Sequence, residues 1–283
     1  MKKGKREKRQ KRKRINCKIS ILYVAFFACL IFFVISIIDI VKWSIASKKT
    51  DIQVEELQKN VKVEEISNPT EVEVISQIEE LPKSNPYWDY IQMNLINVNF
   101  EELKEKNNQT KGWIQVNGTN VNYPFVQSSD NDYYLKHSFD KSYNSAGWVY
   151  LDYRNNIGSL GKNTILYAHK RVDKTMFGTL KNMLSSEWLN NTNNHVIKLS
   201  TETENTLWQV FSIYHIPTTS DYLKIDFGAD EEFKEFADML INRSAYKFNT
   251  TINKTDNILT LSTCYNSTEK LVVHAKLIKK GIR

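Results

Sequence analysis

The sequence predicts a mainly β domain, a small closed barrel decorated with helices, carried behind a single membrane-crossing helix. Three observations lead there. About eight short apolar or alternating runs, bounded by turn residues, follow one another after residue 110. Twenty consecutive uncharged residues stand near the N-terminus. Between two of the strand-like runs, one segment repeats its apolar residues at helical spacing. The 41% hydrophobic and 12% aromatic content of the 283 residues suits a folded domain.

The uncharged run is 19–38, ISILYVAFFACLIFFVISII, held between Lys18 and Asp39. At about 1.5 Å per residue it spans about 30 Å, the thickness of a hydrocarbon core. Residues 1–18 hold seven Lys and four Arg against Glu7, a charge of +10; taken from the chain total of +7, this leaves −3 for residues 19–283. The bulk composition of the outer domain therefore gives no support for nucleic-acid binding. The same asymmetry keeps the basic N-terminal tail cytoplasmic and sends the rest outside, by the positive-inside rule. A cleaved signal peptide has a shorter apolar core, and Trp43–Ser47 makes a poor cleavage site. Cys29 sits in the middle of the run, which disfavours lipidation there. The tail is also expected to touch anionic membrane lipid.

Residues 39–85 read as an extracytoplasmic stalk: rich in Glu, Lys, Val and Ile, free of Gly, with acids such as Glu55, Glu64, Glu71, Glu79 and Glu80 among apolar residues. Pro82 and Pro86 break any helix, so the folded domain is expected over 86–283.

Within it, 87–94 and 100–107 read as short helices. Residues 112–116 and 121–126 flank Asn117-Gly118 as a hairpin. Further strands are expected over 147–151, 163–168, 196–199, 207–214, 258–262 and 271–278, enough to close a barrel. Helical signals fall at 177–184, 186–189 and 231–242. In the last, Phe233, Phe236, Ala237, Leu240 and Ile241 form one core-facing stripe, with Asp230 as its N-cap.

The chain has three cysteines, and only Cys264 lies beyond the membrane run on the outer side. It has no disulfide partner there, so it is either a buried core residue or a nucleophile. Thr260-Leu261-Ser262-Thr263-Cys264 is a strand running into the polar loop 265–269. Cys264 thus stands where a rigid sheet meets an open loop. A thiol acting as nucleophile needs a base or cation nearby. Of five histidines, His169 is best placed, at the end of the 163–168 strand. His274 lies inside an apolar strand, and His137, His195 and His215 fall in or near loops. No metal-ligand spacing is present, and no cofactor is expected.

These residues resemble a known family. Thr260-Leu261-Ser262-Thr263-Cys264 is similar to the TLxTC signature of sortases, and Leu166-Tyr167-Ala168-His169 to their histidine segment. Gly112-Trp113-Ile114, 122–127, 130–135, 147–154 and 219–223 resemble class B sortases in particular. The resemblance covers about 87–280. It implies an eight-stranded sortase-type barrel with N-terminal helices and an inserted helix. It also implies a membrane-bound transpeptidase at a Gram-positive type cell surface. In that chemistry a thiolate, Cys264, attacks a C-terminal sorting signal of a secreted surface protein and forms a thioacyl enzyme. An amine of a peptidoglycan precursor, or a pilin lysine, then resolves it. His169 serves as acid and base. Where the family carries an arginine, this chain has Lys270, with Arg171 as another candidate cation. Ser262, Thr219, Tyr222 and Leu223 are implied to line the sorting-signal groove. A cysteine peptidase, or a binding module with impaired catalysis, remains the alternative.

Overall fold

The computed structural model describes the backbone of residues 2–66, 72–74 and 81–283, with side chains from Ser20 onward except at 72–74. The lipid contacts expected of residues 1–18, and Glu71, Glu79 and Glu80 of the stalk, lie outside these. The chain divides into two compact units, residues 1–48 and 49–283.

The first helix, α1, runs Lys2–Asn60. Its apolar stretch is exposed, with Leu22 at 72% and Phe32 at 71%. Among the described residues it is the one helix long and apolar enough to cross a membrane.

The second unit begins within α1. Its last turns carry Val54 and Leu57, followed by Val61; all three are buried in the main core. After them come β1 (Val63–Ile66), β2 (Val72–Val74), α2 (Tyr87–Tyr90), β3 (Leu95–Val98) and α3 (Glu101–Lys106). The compact second unit, Lys49–Arg283, thus takes in part of the stretch 39–85 expected as a stalk ahead of a domain at 86. The reason is a short apolar stripe at helical spacing that buries against the barrel. Then β1 pairs antiparallel with β3, Val63 opposite Val98. The chain continues through β4 (Thr110–Val116), β5 (Asn122–Val126), β6 (Tyr150–Leu151), β7 (Asn163–Tyr167), α4 (Ser186–Asn190), β8 (Val196–Ser200), β9 (Glu204–Pro217), α5 (Asp230–Arg243), β10 (Ile258–Cys264) and β11 (Glu269–Ile282).

Eight of these strands close a barrel in the order β10-β7-β6-β5-β4-β8-β9-β11, and β11 pairs back onto β10. β2 adds to the far end of β11, at Lys279–Gly281. Closure leaves no edges in the barrel itself. Trp113, Trp148 and Trp208 are fully buried in the main core. Each indole N–H finds an acceptor at 2.7–2.8 Å: Asn122 Oδ1, the Pro124 carbonyl and Thr206 Oγ1. An indole can be buried at low cost only with such a partner.

α5 lays Phe233, Phe236, Ala237 and Leu240 against Phe211, Tyr214, Ile258 and Val272 on the outside of the barrel. Asp230, expected as its N-cap, is instead the first helical residue; extended Ala229 holds the cap position and Asp230 joins Glu231 and Glu232 in an acidic first turn. That placement still complements the helix dipole. The strand expected over 147–151 is shorter, because Gly147 turns at φ +63° and Trp148 donates its N–H to the Tyr134 carbonyl at 2.9 Å.

Candidate active site

β10 lies parallel to β7 and antiparallel to β11. Its residues are buried as far as Thr263, and Cys264 is the first to emerge, half-buried. The hairpin to β11 is fixed by Asn266, whose side-chain oxygen accepts the backbone N–H groups of Thr268 and Glu269 at 2.8 Å each. Such an Asx turn sets the register of the strands it joins. Cys264 thereby sits opposite Lys270, with Nζ 3.4 Å from Sγ. This places an ammonium group within hydrogen-bonding reach of the sulfur.

The parallel pairing brings His169 to the same end of the sheet. Ser262 is in register with Tyr167, and Thr263 Oγ1 donates to the Ala168 carbonyl at 2.8 Å. One residue on from each, Cys264 and His169 leave the sheet together. His169 Nε2 lies 2.8 Å from the Leu135 carbonyl. A carbonyl only accepts, so Nε2 carries a proton there. Gly147 passes close behind: a Cβ there would lie 3.0 Å from His169 Cδ2.

All seven residues expected at the site line one cleft of about 620 Å³: Cys264, His169, Lys270, Ser262, Thr219, Tyr222 and Leu223. Tyr222 and Ser262 join their hydroxyls at 3.0 Å below its surface. Burial pushes the Tyr222 phenol up, so it stays a neutral hydrogen-bonding group. A polar hollow of about 690 Å³ between Asp51–Gln58 and the β4–β5 turn holds none of the seven.

The cleft is also lined by Leu135, Tyr150, Tyr167, Ala168, Thr218, Ser220 and Thr263, none of which is assigned a role from sequence. The apolar ones read as ordinary core. Only their position beside the two recognised segments could have singled them out. Arg171 is not in the lining. It is buried and forked onto Asp173, with Nη2 2.6 Å from Oδ2, which removes it as a substitute for Lys270.

The other histidines are accounted for. His274 is fully buried, with Nε2 2.9 Å from the Tyr214 hydroxyl and Nδ1 2.9 Å from Thr260 Oγ1. Burial, reinforced by the Arg243 charge, pushes its pKa down to about 3. His195 is buried between Tyr90 and the Leu189 carbonyl, and desolvation lowers its pKa. His137 stacks on Tyr133 at 3.9 Å. His215 has partners that the sequence did not suggest: it stacks on Tyr265 at 4.5 Å and meets Glu269 at 3.1 Å. Among the described residues no cluster of His, Cys, Asp or Glu could hold a metal ion.

The sortase domain family matches residues 114–278. Sortase B of Staphylococcus aureus (strain NCTC 8325 / PS 47) is 33% identical over 184 residues, covering 64% of this chain and 75% of that protein. A solved Staphylococcus aureus sortase B–substrate complex is 34% identical with a TM-score of 0.60, covering 64% of this chain and 84% of that one. A structure of sortase B complexed with triglycine matches at 34% identity and TM-score 0.60, over 64% of this chain and 85% of that one.

Proposed function

The chain belongs to the sortase family and is a cysteine transpeptidase of class B; from that premise we propose that it is membrane-anchored and cleaves the C-terminal sorting signal of a secreted surface protein, passing the acyl group to a cell-wall amine. The observation that carries this reading is the convergence of Cys264, His169 and Lys270 with four groove residues on one cleft.

In this reading the Cys264 thiolate adds to the carbonyl carbon of the scissile peptide bond. The carbonyl electrons move onto oxygen, and Lys270, beside the sulfur, offsets the developing negative charge. Collapse breaks the C–N bond, and protonated His169 gives its proton to the leaving amine. The thioacyl enzyme remains. An incoming amine then attacks the thioester carbon, His169 takes its proton, and the C–S bond breaks to return the thiolate. The substrate and the triglycine bound by the related enzymes support a sorting-signal donor and an amine acceptor. Lysine offers a compact charge where arginine offers a fork, so its contribution is less directional.

The apolar run of α1 supports a single-pass anchor. The charge excess of residues 1–18 supports a cytoplasmic N-terminus, with the cleft on the outer side.

The test is to incubate the full-length protein in detergent micelles with sorting-signal peptides, with and without triglycine. The expected result is a triglycine-ligated product, lost on Cys264→Ala with little change in melting temperature. Hydrolysis alone at saturating amine would mark a cysteine peptidase. The absence of any thioester adduct would mark a binding module. A large fall in melting temperature on Cys264→Ala would mark a structural cysteine.

A further inference from the structure

The cleft wall at 221–224 belongs to no strand; it is a single 3-10 turn, Asp221–Leu223, between β9 and α5. A short loop of this kind carries unpaired carbonyls and is a natural place for mobility. Here three consecutive carbonyls are taken by side chains from the β6–β7 region. Asn163 Nδ2 donates to Tyr222 O at 3.3 Å and to Lys224 O at 2.9 Å. Arg154 Nη2 donates to Leu223 O at 3.1 Å, between the other two.

Arg154 is itself held. Its Nε and Nη2 fork onto Oδ1 and Oδ2 of Asp152, each at 2.8 Å. Asp152 is fully buried and also accepts from the Tyr167 hydroxyl at 2.9 Å and from Asn131 Nδ2 at 3.1 Å. Burial pushes this carboxyl up, but the Arg154 and Tyr167 hydrogen bonds outweigh it and leave it below its ordinary value. One buried carboxylate therefore fixes Tyr167 on one side of the cleft. Through Arg154 it also fixes Leu223 on the other.

We propose that Arg154, clamped by Asp152, is a positioning residue that braces the Tyr222–Lys224 wall, so that the groove is preformed for an extended substrate peptide. This rests on the reading of the cleft as the sorting-signal groove. Arg154 does not line the cleft and acts only through the wall. A lysine there can keep a charge contact with Asp152 but lacks the planar fork needed to bridge to Leu223.

The test uses full-length protein in detergent micelles, as Arg154→Ala and Arg154→Lys. Backbone hydrogen exchange over residues 219–226 is expected to speed up by about tenfold in both, as loss of a charge-assisted hydrogen bond implies. Alkylation of Cys264 by iodoacetamide should stay within about twofold, because the thiol environment is untouched. KM, for the member of a randomised fluorogenic peptide library that the wild type turns over fastest, should rise about tenfold with kcat within about twofold. Arg154→Lys should recover the melting temperature but not KM.

Unchanged exchange in Arg154→Ala overturns the brace, and so does faster exchange with unchanged KM. A fall in melting temperature that lowers kcat and alters alkylation along with KM marks a merely structural role and overturns it too. If the wild type cleaves no peptide, the functional reading fails instead, and the exchange measurement alone decides the brace.

Discussion

Cys264 and Lys270 oppose one another across a hairpin whose turn is set by Asn266. Lys270 lies 3.4 Å from the sulfur and offers one compact charge, not the two-pronged grip of a guanidinium. Lys270→Ala is therefore expected to lower kcat by about 10²- to 10³-fold, as for loss of a transition-state donor. Lys270→Arg should retain or raise turnover, measured by peptide ligation. Loss of turnover in Lys270→Arg, with Lys270→Ala harmless, would remove Lys270 from the site. Gly147 is a second decisive position. It adopts φ +63°, and a Cβ would meet the Tyr134 carbonyl at 2.5 Å and His169 Cδ2 at 3.0 Å. Gly147→Ala should cost about 1–2 kcal/mol in backbone strain alone, read by chemical denaturation. It should also lower kcat by about tenfold or more through displacement of His169. Cys264 and His169 were legible as candidates because Cys264 is the only thiol after the apolar run and His169 ends a strand, whereas Lys270 was reached only through the family resemblance. Their neighbours were not, since Leu135, Tyr150 and Tyr167 look like any buried apolar residue until the fold assembles them.

At the scale of elements, β4, β5, β7, β8, β10 and the apolar spine of α5 were visible from periodicity, since each has one clear face or a continuous core run. β9 and β11 proved longer, 14 residues each, because pairing along their whole length extends them past the apolar segments. β3 was missed: Leu95–Val98 is too short to show a period, and it is a strand only because β1 pairs with it. β9, β10 and β11 are also pinned by the buried Tyr214–His274–Thr260 chain, which continues to Asn163 at 2.6 Å. His274 has a folded pKa of about 3, below the ordinary value of about 6.5. The unfolded state thus binds the extra proton first as pH falls. Its contribution to stability is complete above about pH 6.5 and declines by about 1.4 kcal/mol per pH unit below that, until about pH 3. Urea unfolding of the wild type between pH 7 and 4 should show that slope, and His274→Gln should flatten it. Equal slopes in both proteins would mean that His274 is not buried neutral.

For the whole molecule, the second compact unit takes in residues from Lys49 onward. A Glu- and Lys-rich stretch reads as solvated, yet Val54, Leu57 and Val61 are buried in the main core and β1 pairs with β3. A chain starting at Lys49 should fold with the full unfolding midpoint. One starting at Tyr87 loses those three side chains as well as β1 and β2. It should be weaker by at least about 3 kcal/mol, from the burial of the three apolar side chains alone. Equal midpoints in denaturant would restore the stalk. Residues 49–283 contain a single cysteine, and it lies within reach of a primary amine. ortho-Phthalaldehyde condenses with one thiol and one amine to a fluorescent isoindole, so each 49–283 unit should light up once, at Cys264 and Lys270. A guanidinium in the place of Lys270 would stay dark, which makes the lysine a handle for reporting on this enzyme among arginine-bearing relatives.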